Sequence, residues 1–168
     1  TVRGKYYFKE GEDFREEYLD SAHLALLEFY DRKGYPDAEI QITVEPADKQ
    51  SRVNIHINIQ EGRPLIIGEI DIENDVRHIV RVREGSVFDT EELDKDIKRI
   101  EEYYRKKNYI KPLVGPCRFS NGKLTVPVIP GVRFDMKFKN NVAFSAGKLG
   151  KEVSFIENEE ITDEAIAE

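Results

Sequence analysis

Residues 10–35 of the chain read EGEDFREEYLDSAHLALLEFYDRKGY, and residues 84–109 read EGSVFDTEELDKDIKRIEEYYRKKNY. The second stretch repeats the first without a gap. Ten aligned positions are identical, several times what chance pairing gives. They include Gly11 and Gly85, and Phe14 and Phe88. A repeat of this kind is typical of tandem copies of one structural unit.

Length and charge narrow the class of protein. The chain has 168 residues, which suits one ordinary domain or two small ones, and a repeat period of about 70 favours two. Its net charge of −7 opposes nucleic-acid binding, which usually involves a basic domain or stripe. The densest basic cluster, from Lys98 to Lys107, is interleaved with Glu101 and Glu102 and is expected to be a solvated helix face. No nucleic-acid partner is therefore expected.

Cysteine content and targeting signals are less informative. Cys117 is the single cysteine, so no internal disulfide is expected. No apolar run approaches the roughly 18 residues of a membrane-spanning helix, and no signal peptide opens the chain. Because the first residue is Thr1, we expect a piece excised from a longer protein, whose compartment these features do not reveal.

Two segments have the periodicity of amphipathic helices. Apolar residues recur every three or four positions from Phe14 to Lys33, and again in the copy from about Asp89 to Lys107. Either Asp89 or Thr90 is expected to cap the second helix, because both side chains can accept hydrogen bonds from the first free N–H groups. Each copy is expected to form one long helix with a single buried stripe.

The two helices end in the same way. Basic residues fill the last turn, and Gly34 or Asn108 follows at the position where a left-handed residue ends many helices. Two tyrosines flank this position in each copy and are expected to pack between helix and hairpin: Tyr30 and Tyr35, and Tyr104 and Tyr109.

After each helix the apolar period changes to two, which predicts a β-hairpin with one buried face. In the first copy Ile40 to Val44 and Val53 to Ile59 alternate with polar residues around a polar turn. The second copy gives a weaker hairpin from Leu113 to Phe119 and from Leu124 to Val128. Pro127 falls inside its last strand, where it removes a backbone donor.

The second copy holds the complete unit. Upstream of its long helix, Ile67 to Asn74 predicts a strand and Val76 to Val82 predicts a short amphipathic helix. The order is therefore β-α-α-β-β. We predict an α+β fold in which each unit is a three-stranded mixed sheet, covered on one face by two helices.

The repeats predict three segments. Residues 1–66 form a unit that lacks part of its first strand, residues 67–132 form a complete unit, and residues 133–168 begin a third, truncated unit. The third copy is identified from Met136 to Asn140 and from Ile161 to Ile166, which resemble the opening strand and the helix start of the second copy. Both truncations are expected of a segment cut from a longer array.

Four short motifs carry a resemblance to a known family. They are Ile70-Asp71-Ile72-Glu73-Asn74 opening a unit, Gly85-Ser86-Val87-Phe88 before the long helix, Tyr30-Asp31-Arg32-Lys33-Gly34-Tyr35 closing one, and Gln60-Glu61-Gly62-Arg63-Pro64 followed by Ile67-Gly68-Glu69-Ile70 at the junction. In order and spacing the unit resembles the polypeptide-transport-associated (POTRA) domain of outer-membrane assembly and translocation proteins. Asn108 departs from the pattern of Gly34, and Pro130-Gly131 stands where Glu61-Gly62 stands.

The resemblance implies a function without catalysis. POTRA domains form a periplasmic arm of an outer-membrane barrel protein of the BamA or TamA type in Gram-negative bacteria. They also form the arm of two-partner secretion transporters, which stays an alternative. Such arms receive unfolded outer-membrane or secreted polypeptides, or bind accessory lipoproteins. The parent protein would then be embedded in the membrane through a barrel that this fragment does not contain.

The resemblance also places the strand after the long helix at the edge of the sheet, where it can accept an extended peptide as an added strand. Four or five new hydrogen bonds at about 1 kcal/mol each would give about 4 to 5 kcal/mol, near millimolar affinity. In the second unit Pro112 and Pro116 are expected to protect the edge, so we expect the first unit to dock peptide and the second to act as a spacer. The expected docking strand comprises Glu39, Ile40, Gln41, Ile42, Thr43 and Val44.

Other functions have less support from the residues. The three histidines, His23, His56 and His78, fall on different expected elements, so no metal site is expected. No nucleophile motif or glycine-rich phosphate loop is present, and neither an enzyme nor a cofactor is expected. A structural spacer or adhesion-like repeat that binds no client stays an alternative, because Ile40, Ile42 and Val44 are core residues whether or not the edge is used. A nucleic-acid-binding α+β module is the least favoured class.

Overall fold

The computed structural model describes residues 14–47 and 52–152, and these residues form two compact units. Of these residues, the first unit comprises 14–47, 52–70, Arg81–Lys95 and Phe119–Leu124. The second comprises Asp71–Val80, Asp96–Arg118 and 125–152. The second sequence repeat contributes to both units, and the repeat boundaries at residues 66 and 132 remain a prediction.

The first repeat contains a long helix followed by a hairpin. Helix α1 spans Glu17–Arg32, strand β1 spans Glu39–Pro46 and strand β2 spans Val53–Gln60. β1 and β2 are antiparallel, with Ile40 opposite Ile59 and Ile42 opposite Ile57. Because directly opposed residues share a face of the sheet, the alternating apolar residues form one surface, and α1 contacts β1. The expected helix and hairpin are confirmed, whereas most of the expected turn lies outside the described residues.

Left-handed residues end both long helices, as the sequence predicts. The φ angle is +85° at Gly34 and +64° at Asn108. Tyr35 N–H donates to the carbonyl of Tyr30 at 2.9 Å, and the two rings meet edge to face with centroids 6.2 Å apart. The rings of Tyr104 and Tyr109 are arranged in the same way, with centroids 5.4 Å apart.

The second repeat contains one long helix and several short strands. Strand β3 spans Glu69–Ile72 and helix α2 spans Thr90–Lys106. Short strands follow: β4 (Tyr109–Ile110), β5 (Leu113–Val114), β6 (Arg118–Ser120), β7 (Lys123–Val126), β8 (Val128–Ile129) and β9 (Val132–Arg133). They form a three-stranded sheet of order β3-β7-β6, together with the pairs β4-β9 and β5-β8. The α+β class is confirmed.

A two-residue turn connects β6 to β7. Asn121 and Gly122 both have positive φ, +51° and +78°. This is the conformation of a type I′ turn, whose twist matches that of the flanking strands. The residues between the two expected strands of this hairpin therefore form a tight turn.

The hairpin of the second repeat is less regular than predicted. The sequence predicts one strand from Leu113 to Phe119, but Gly115–Cys117 separate β5 from β6. Pro127 separates β7 from β8 in the same way. The two interruptions face each other, because Gly115 N–H donates to the carbonyl of Pro127 at 2.9 Å. Because a proline has no N–H for a ladder bond, the strand is interrupted at Pro127. The partner strand is interrupted opposite it, at Gly115–Cys117.

Two other expectations differ from the structure. The segment from Val76 to Val82 forms consecutive turns with bonds such as Ile79 N–H to Val76 O, and these do not continue into a helical ladder. Its valines are nevertheless buried, as an amphipathic segment requires. Met136 to Asn140 forms no strand. A short helix α3 follows at Ala146–Glu152, while Ile161 to Ile166 lies outside the described residues.

Each unit has its own fully buried side chains. In the first unit they are Ile67 and Leu124, and in the second they include Val76 and Ile100. The carboxylate of Asp96 is also buried, and it accepts a hydrogen bond from the Arg99 guanidinium one turn later on α2. Pairing of this kind is needed because an isolated buried charge is costly.

Candidate peptide-docking edge

Strand β1 lies at the edge of its sheet as far as the described residues extend. Within them it pairs with β2 alone. The second repeat gives a complete sheet for comparison, in which β7, the counterpart of β2, is the central strand and β6 is an edge. The six residues of the expected docking strand, Glu39 to Val44, all lie on β1.

The direction of the backbone groups along β1 follows from its register. Just beyond the strand, Ala47 N–H donates to the carbonyl of Arg52 at 3.0 Å, which continues the register of the β1-β2 pair. In an antiparallel ladder hydrogen-bonded and non-hydrogen-bonded pairs alternate. The odd-numbered residues of β1 therefore direct their N–H and C=O groups toward β2. The even-numbered residues Ile40, Ile42 and Val44 direct theirs away from β2.

Pro46 agrees with this assignment. It is the last residue of β1 and has an even number, so its nitrogen faces away from β2. Proline lacks an N–H, and within sheets it is accepted where that group would face away from the partner strand. No strand among the described residues pairs with this side of β1, so its edge there offers three N–H groups and three C=O groups between Ile40 and Val44.

The side chains of β1 alternate between its two faces. Ile40 is buried, whereas Ile42 and Val44 are half-buried. The polar residues Glu39, Gln41 and Thr43 are exposed on the other face. Because backbone bonds lie in the plane of the sheet and side chains stand out of it, an added strand would contact the backbone of β1 without displacing its core residues.

The available hydrogen bonds set the strength of such binding. Six bonds at about 1 kcal/mol net each give about 6 kcal/mol, before the cost of ordering the peptide. That cost returns the affinity to roughly the millimolar range. An edge of this length therefore suits weak and sequence-tolerant capture.

The corresponding edge of the second repeat is shorter. β5 has two residues and β6 has three, and Gly115–Cys117 interrupt them. A docked peptide would meet no continuous row of six backbone groups there. This geometry agrees with the expectation that the second repeat is the poorer docking surface.

Backbone hydrogen bonds connect the two repeats through the linker after β2. Leu65 N–H donates to the carbonyl of Gly34 at 2.8 Å, and the carbonyl of Leu65 accepts from Phe88 N–H at 2.8 Å. An isolated bridge between Ile66 and Val87 continues this pairing. The resemblance to the family implied a junction at this linker but did not indicate these partners. The only sequence signal was the repeated helix end that contains Gly34.

Residues 14–47 and 52–152 contain no group of three or more His, Cys, Asp or Glu side chains arranged to bind a metal ion. In the same ranges, no helix has an apolar stretch of the length that a membrane crossing requires.

Comparisons with known proteins give a family and several similar structures. The family model described as "POTRA: Surface antigen variable number repeat" matches residues 1–62 and 66–129. No curated protein sequence gives a significant match.

Three solved structures illustrate the similarity. BamA from Haemophilus ducreyi lacking POTRA domains 1–3 has 17% identity and a TM-score of 0.42, over 72% of this chain and 24% of that chain. POTRA domains 3–5 of BamA from Haemophilus influenzae have 17% identity and a TM-score of 0.36, over 76% and 52% of the two chains. POTRA domains 1–2 of the periplasmic domain of Omp85 from Anabaena have 19% identity and a TM-score of 0.42, over 74% and 79%. The chain thus spans a quarter to a half of the first two proteins.

The two matched segments follow one another along the chain, as the internal sequence repeat predicts. Together they cover well over half of its residues. The chain belongs to the POTRA family and carries two tandem copies of that domain.

Proposed function

We propose that this chain is the periplasmic arm of an outer-membrane β-barrel assembly or translocation protein, and that its first repeat captures unfolded polypeptides by adding them as a strand to β1. Membership of the POTRA family supports the location. The observation that carries the docking step is the row of backbone groups at Ile40, Ile42 and Val44, which faces away from β2 and pairs with no strand in residues 14–47 and 52–152.

The client class follows from the chemistry of this edge. Backbone N–H and C=O groups recognise any extended chain, because every residue except proline carries the same donor and acceptor. Unfolded outer-membrane or secreted polypeptides and extended segments of accessory lipoproteins have this property. Weak capture lets a client dissociate and move on, and it requires no catalytic residue.

The second repeat has a different role in this proposal. Its interrupted strands β5 and β6 favour a spacer that positions the first repeat, rather than a second docking site. The two repeats would then divide binding and positioning between them.

Chemical-shift mapping with an extended peptide from an outer-membrane barrel strand tests the proposal. The 168-residue chain is labelled with ¹⁵N and titrated with the peptide, and shifts are expected along β1. Two variants at one position provide a matched pair. Val44→Pro removes an outward N–H and places a ring at the edge, whereas Val44→Ala removes the same side chain but keeps the N–H.

The expected result is that Val44→Ala retains the peptide-induced shifts and Val44→Pro loses them, with similar circular dichroism spectra for both. Pro46 already occupies the equivalent orientation two residues later, so the proline at residue 44 is expected to be tolerated. Shifts confined to the second repeat, or equal binding by both variants, would contradict docking at β1.

A further inference from the structure

The end of α1 and the start of α2 are connected by charged side chains. The Lys33 ammonium donates to Oδ2 of Asp89 at 2.9 Å and to Oε2 of Glu91 at 2.6 Å. Arg32 Nε lies 3.4 Å from Oε1 of Glu91, and Thr90 Oγ1 donates to the carbonyl of Arg32 at 3.3 Å. Residues 56 to 59 positions apart in sequence thus meet at one point, between the first repeat and the second.

The Asp89 carboxylate is fixed before the lysine reaches it. Its Oδ1 accepts the backbone N–H groups of Glu91 at 2.8 Å and of Glu92 at 3.1 Å, and it thereby caps α2. This confirms Asp89, rather than Thr90, as the capping residue. Its second oxygen remains available for Lys33, so a single carboxylate starts one helix and contacts the end of another.

The charges also match the helix ends at which they lie. Lys33 follows the last residue of α1, where the helix dipole favours a cation, and Asp89 and Glu91 lie at the start of α2, where it favours anions. The Lys33 side chain is 28% exposed and that of Asp89 32%, so water screens the pair less than it screens a fully exposed pair.

The titration behaviour agrees with this geometry. Hydrogen bonds to Glu91 and Asp89 raise the pKa of the Lys33 ammonium, against a smaller opposing effect of burial. Burial alone would raise the pKa of Asp89, but the bonds from Lys33 and the backbone N–H groups outweigh it and lower that pKa. The bond from Lys33 also lowers the pKa of Glu91.

Close backbone contact occurs at the same point. A Cβ atom on Gly34 would lie 2.5 Å from the carbonyl oxygen of Phe88 and 2.7 Å from a methyl group of Val87. The backbone of Gly34 therefore packs directly against the backbone of Phe88, and no side chain fits at residue 34. The linker bonds of Leu65 to Gly34 and Phe88 lie beside the ion pairs.

We infer that the Lys33 ammonium, through its bonds to Asp89 and Glu91, holds the end of α1 and the start of α2 in one fixed geometry. We call this contact the joint, and Lys33 its latch. Neutralising Lys33 leaves the longer side-chain contacts of Arg32 with Glu91, at 3.4 Å, and of Thr90 with the Arg32 carbonyl, at 3.3 Å, beside the backbone bonds of Leu65. Without Lys33, we expect these contacts not to hold a single geometry. The joint fixes the orientation of α1 relative to the start of α2, and it does so whether or not β1 binds a peptide.

Distance measurements between spin labels test the latch in the full 168-residue chain. Cys117 is replaced by serine, and labels are attached at Leu24→Cys on α1 and Asp94→Cys on α2, two exposed positions in the same compact unit. Lys33→Met removes the charge, and Lys33→Arg keeps it. Lys107→Met is the matched control, because Lys107 holds the equivalent position after α2 and its ammonium contacts Tyr103, four residues earlier.

One narrow distance distribution is expected for the unmodified sequence, for Lys33→Arg and for Lys107→Met, and a broad or shifted one for Lys33→Met. A narrow distribution in Lys33→Met would overturn the inference. If Lys33→Met fails to fold, the double variant Asp89→Asn and Glu91→Gln provides the second measurement, since it removes the charges that face the Lys33 ammonium and leaves Lys33 in place. An unchanged distribution there would overturn the inference equally.

Discussion

The hydroxyl of Tyr104 donates to both carboxylate oxygens of Asp75, at 2.8 Å and 3.0 Å. Tyr104 is 3% exposed. Its pKa is raised well above the ordinary value, first by burial and then by the hydrogen bond to Asp75. The counterpart in the first repeat, Tyr30, donates to Glu61 at 3.3 Å in an exposed position. Two residues that the repeat makes equivalent therefore differ in burial and in the length of their hydrogen bonds.

Removing each tyrosine hydroxyl measures this difference. Tyr104→Phe removes the short hydrogen bond of a buried tyrosine, and we expect the free energy of unfolding to fall by about 1 to 2 kcal/mol. Tyr30→Phe is expected to have a clearly smaller effect, because Tyr30 is only half-buried and its hydrogen bond to Glu61 is longer and exposed to water. Urea denaturation of both variants gives the comparison. Equal losses would show that the repeats are energetically equivalent at this position.

Adding a methyl group at Gly34 tests the close contact at the joint. Gly85→Ala is the control, since Gly85 also has positive φ, +83°, but nothing lies within 4 Å of its Cβ position. The control is expected to lose about 1 kcal/mol from backbone strain alone. Gly34→Ala adds the overlap with Phe88 and Val87 and is expected to lose about 3 kcal/mol. Thermal denaturation measures both, and similar losses would mean that the joint relaxes without cost.

Asn108 replaces glycine at the second left-handed helix end, with φ of +64°. Asparagine tolerates this conformation better than other residues with a side chain, although glycine adopts it without strain. We expect Asn108→Gly to change the free energy of unfolding by less than about 0.5 kcal/mol, and Asn108→Ala to lower it by about 1 kcal/mol. Chemical denaturation of the two variants measures these changes. An unchanged free energy of unfolding in Asn108→Ala would argue against backbone strain at this residue.

If Lys33 acts through its charge, the contribution of its ion pairs to the free energy of unfolding must depend on pH. Asp89 and Glu91 have lowered pKa values, so their contribution is complete above the ordinary carboxyl pKa of about 4 and is lost as the pH falls through the lowered values. Lys33 has a raised pKa, so its contribution is complete below the ordinary value of about 10.4 and is lost as the pH rises through the raised value.

The measurement compares the free energy of unfolding of the unmodified sequence with that of Lys33→Met. Their difference is expected to be constant between about pH 5 and pH 10 and to shrink below about pH 4. Arg32 is the other charged residue that faces Glu91, with its Nε 3.4 Å from Oε1. A difference that persists unchanged in acid would mean that Lys33 acts through packing rather than through charge.

Much of the architecture was predictable because its signals are local. The apolar periods gave both long helices and the β1-β2 hairpin, and single residues such as Gly34 and Asn108 marked the helix ends. The same reasoning failed at Val76 to Val82, where an amphipathic pattern forms turns, because periodicity reports which residues are buried and not which backbone bonds satisfy them. Periodicity also predicted longer strands around Pro116 and Pro127 than the structure contains, because apolar alternation does not report which backbone bonds form.

The candidate docking strand was predictable as a segment but not in its detail. The residues from Glu39 to Val44 follow from alternation and from the resemblance. That Ile40, Ile42 and Val44 carry the outward backbone groups follows only from the register, which the bond between Ala47 and Arg52 reveals. Alternation specifies the faces of the side chains, whereas the direction of the N–H groups depends on the partner strand.

The sequence by itself determined the repeated unit, its α+β class and the order of its elements, because these depend on residues close to one another in the chain. Only the tertiary structure decided how Lys33 meets Asp89 and Glu91, how closely Gly34 approaches Phe88, and which of the two equivalent tyrosines is buried. Those contacts join residues far apart in sequence. No local period encodes such pairs, since their geometry exists only after the elements have packed together.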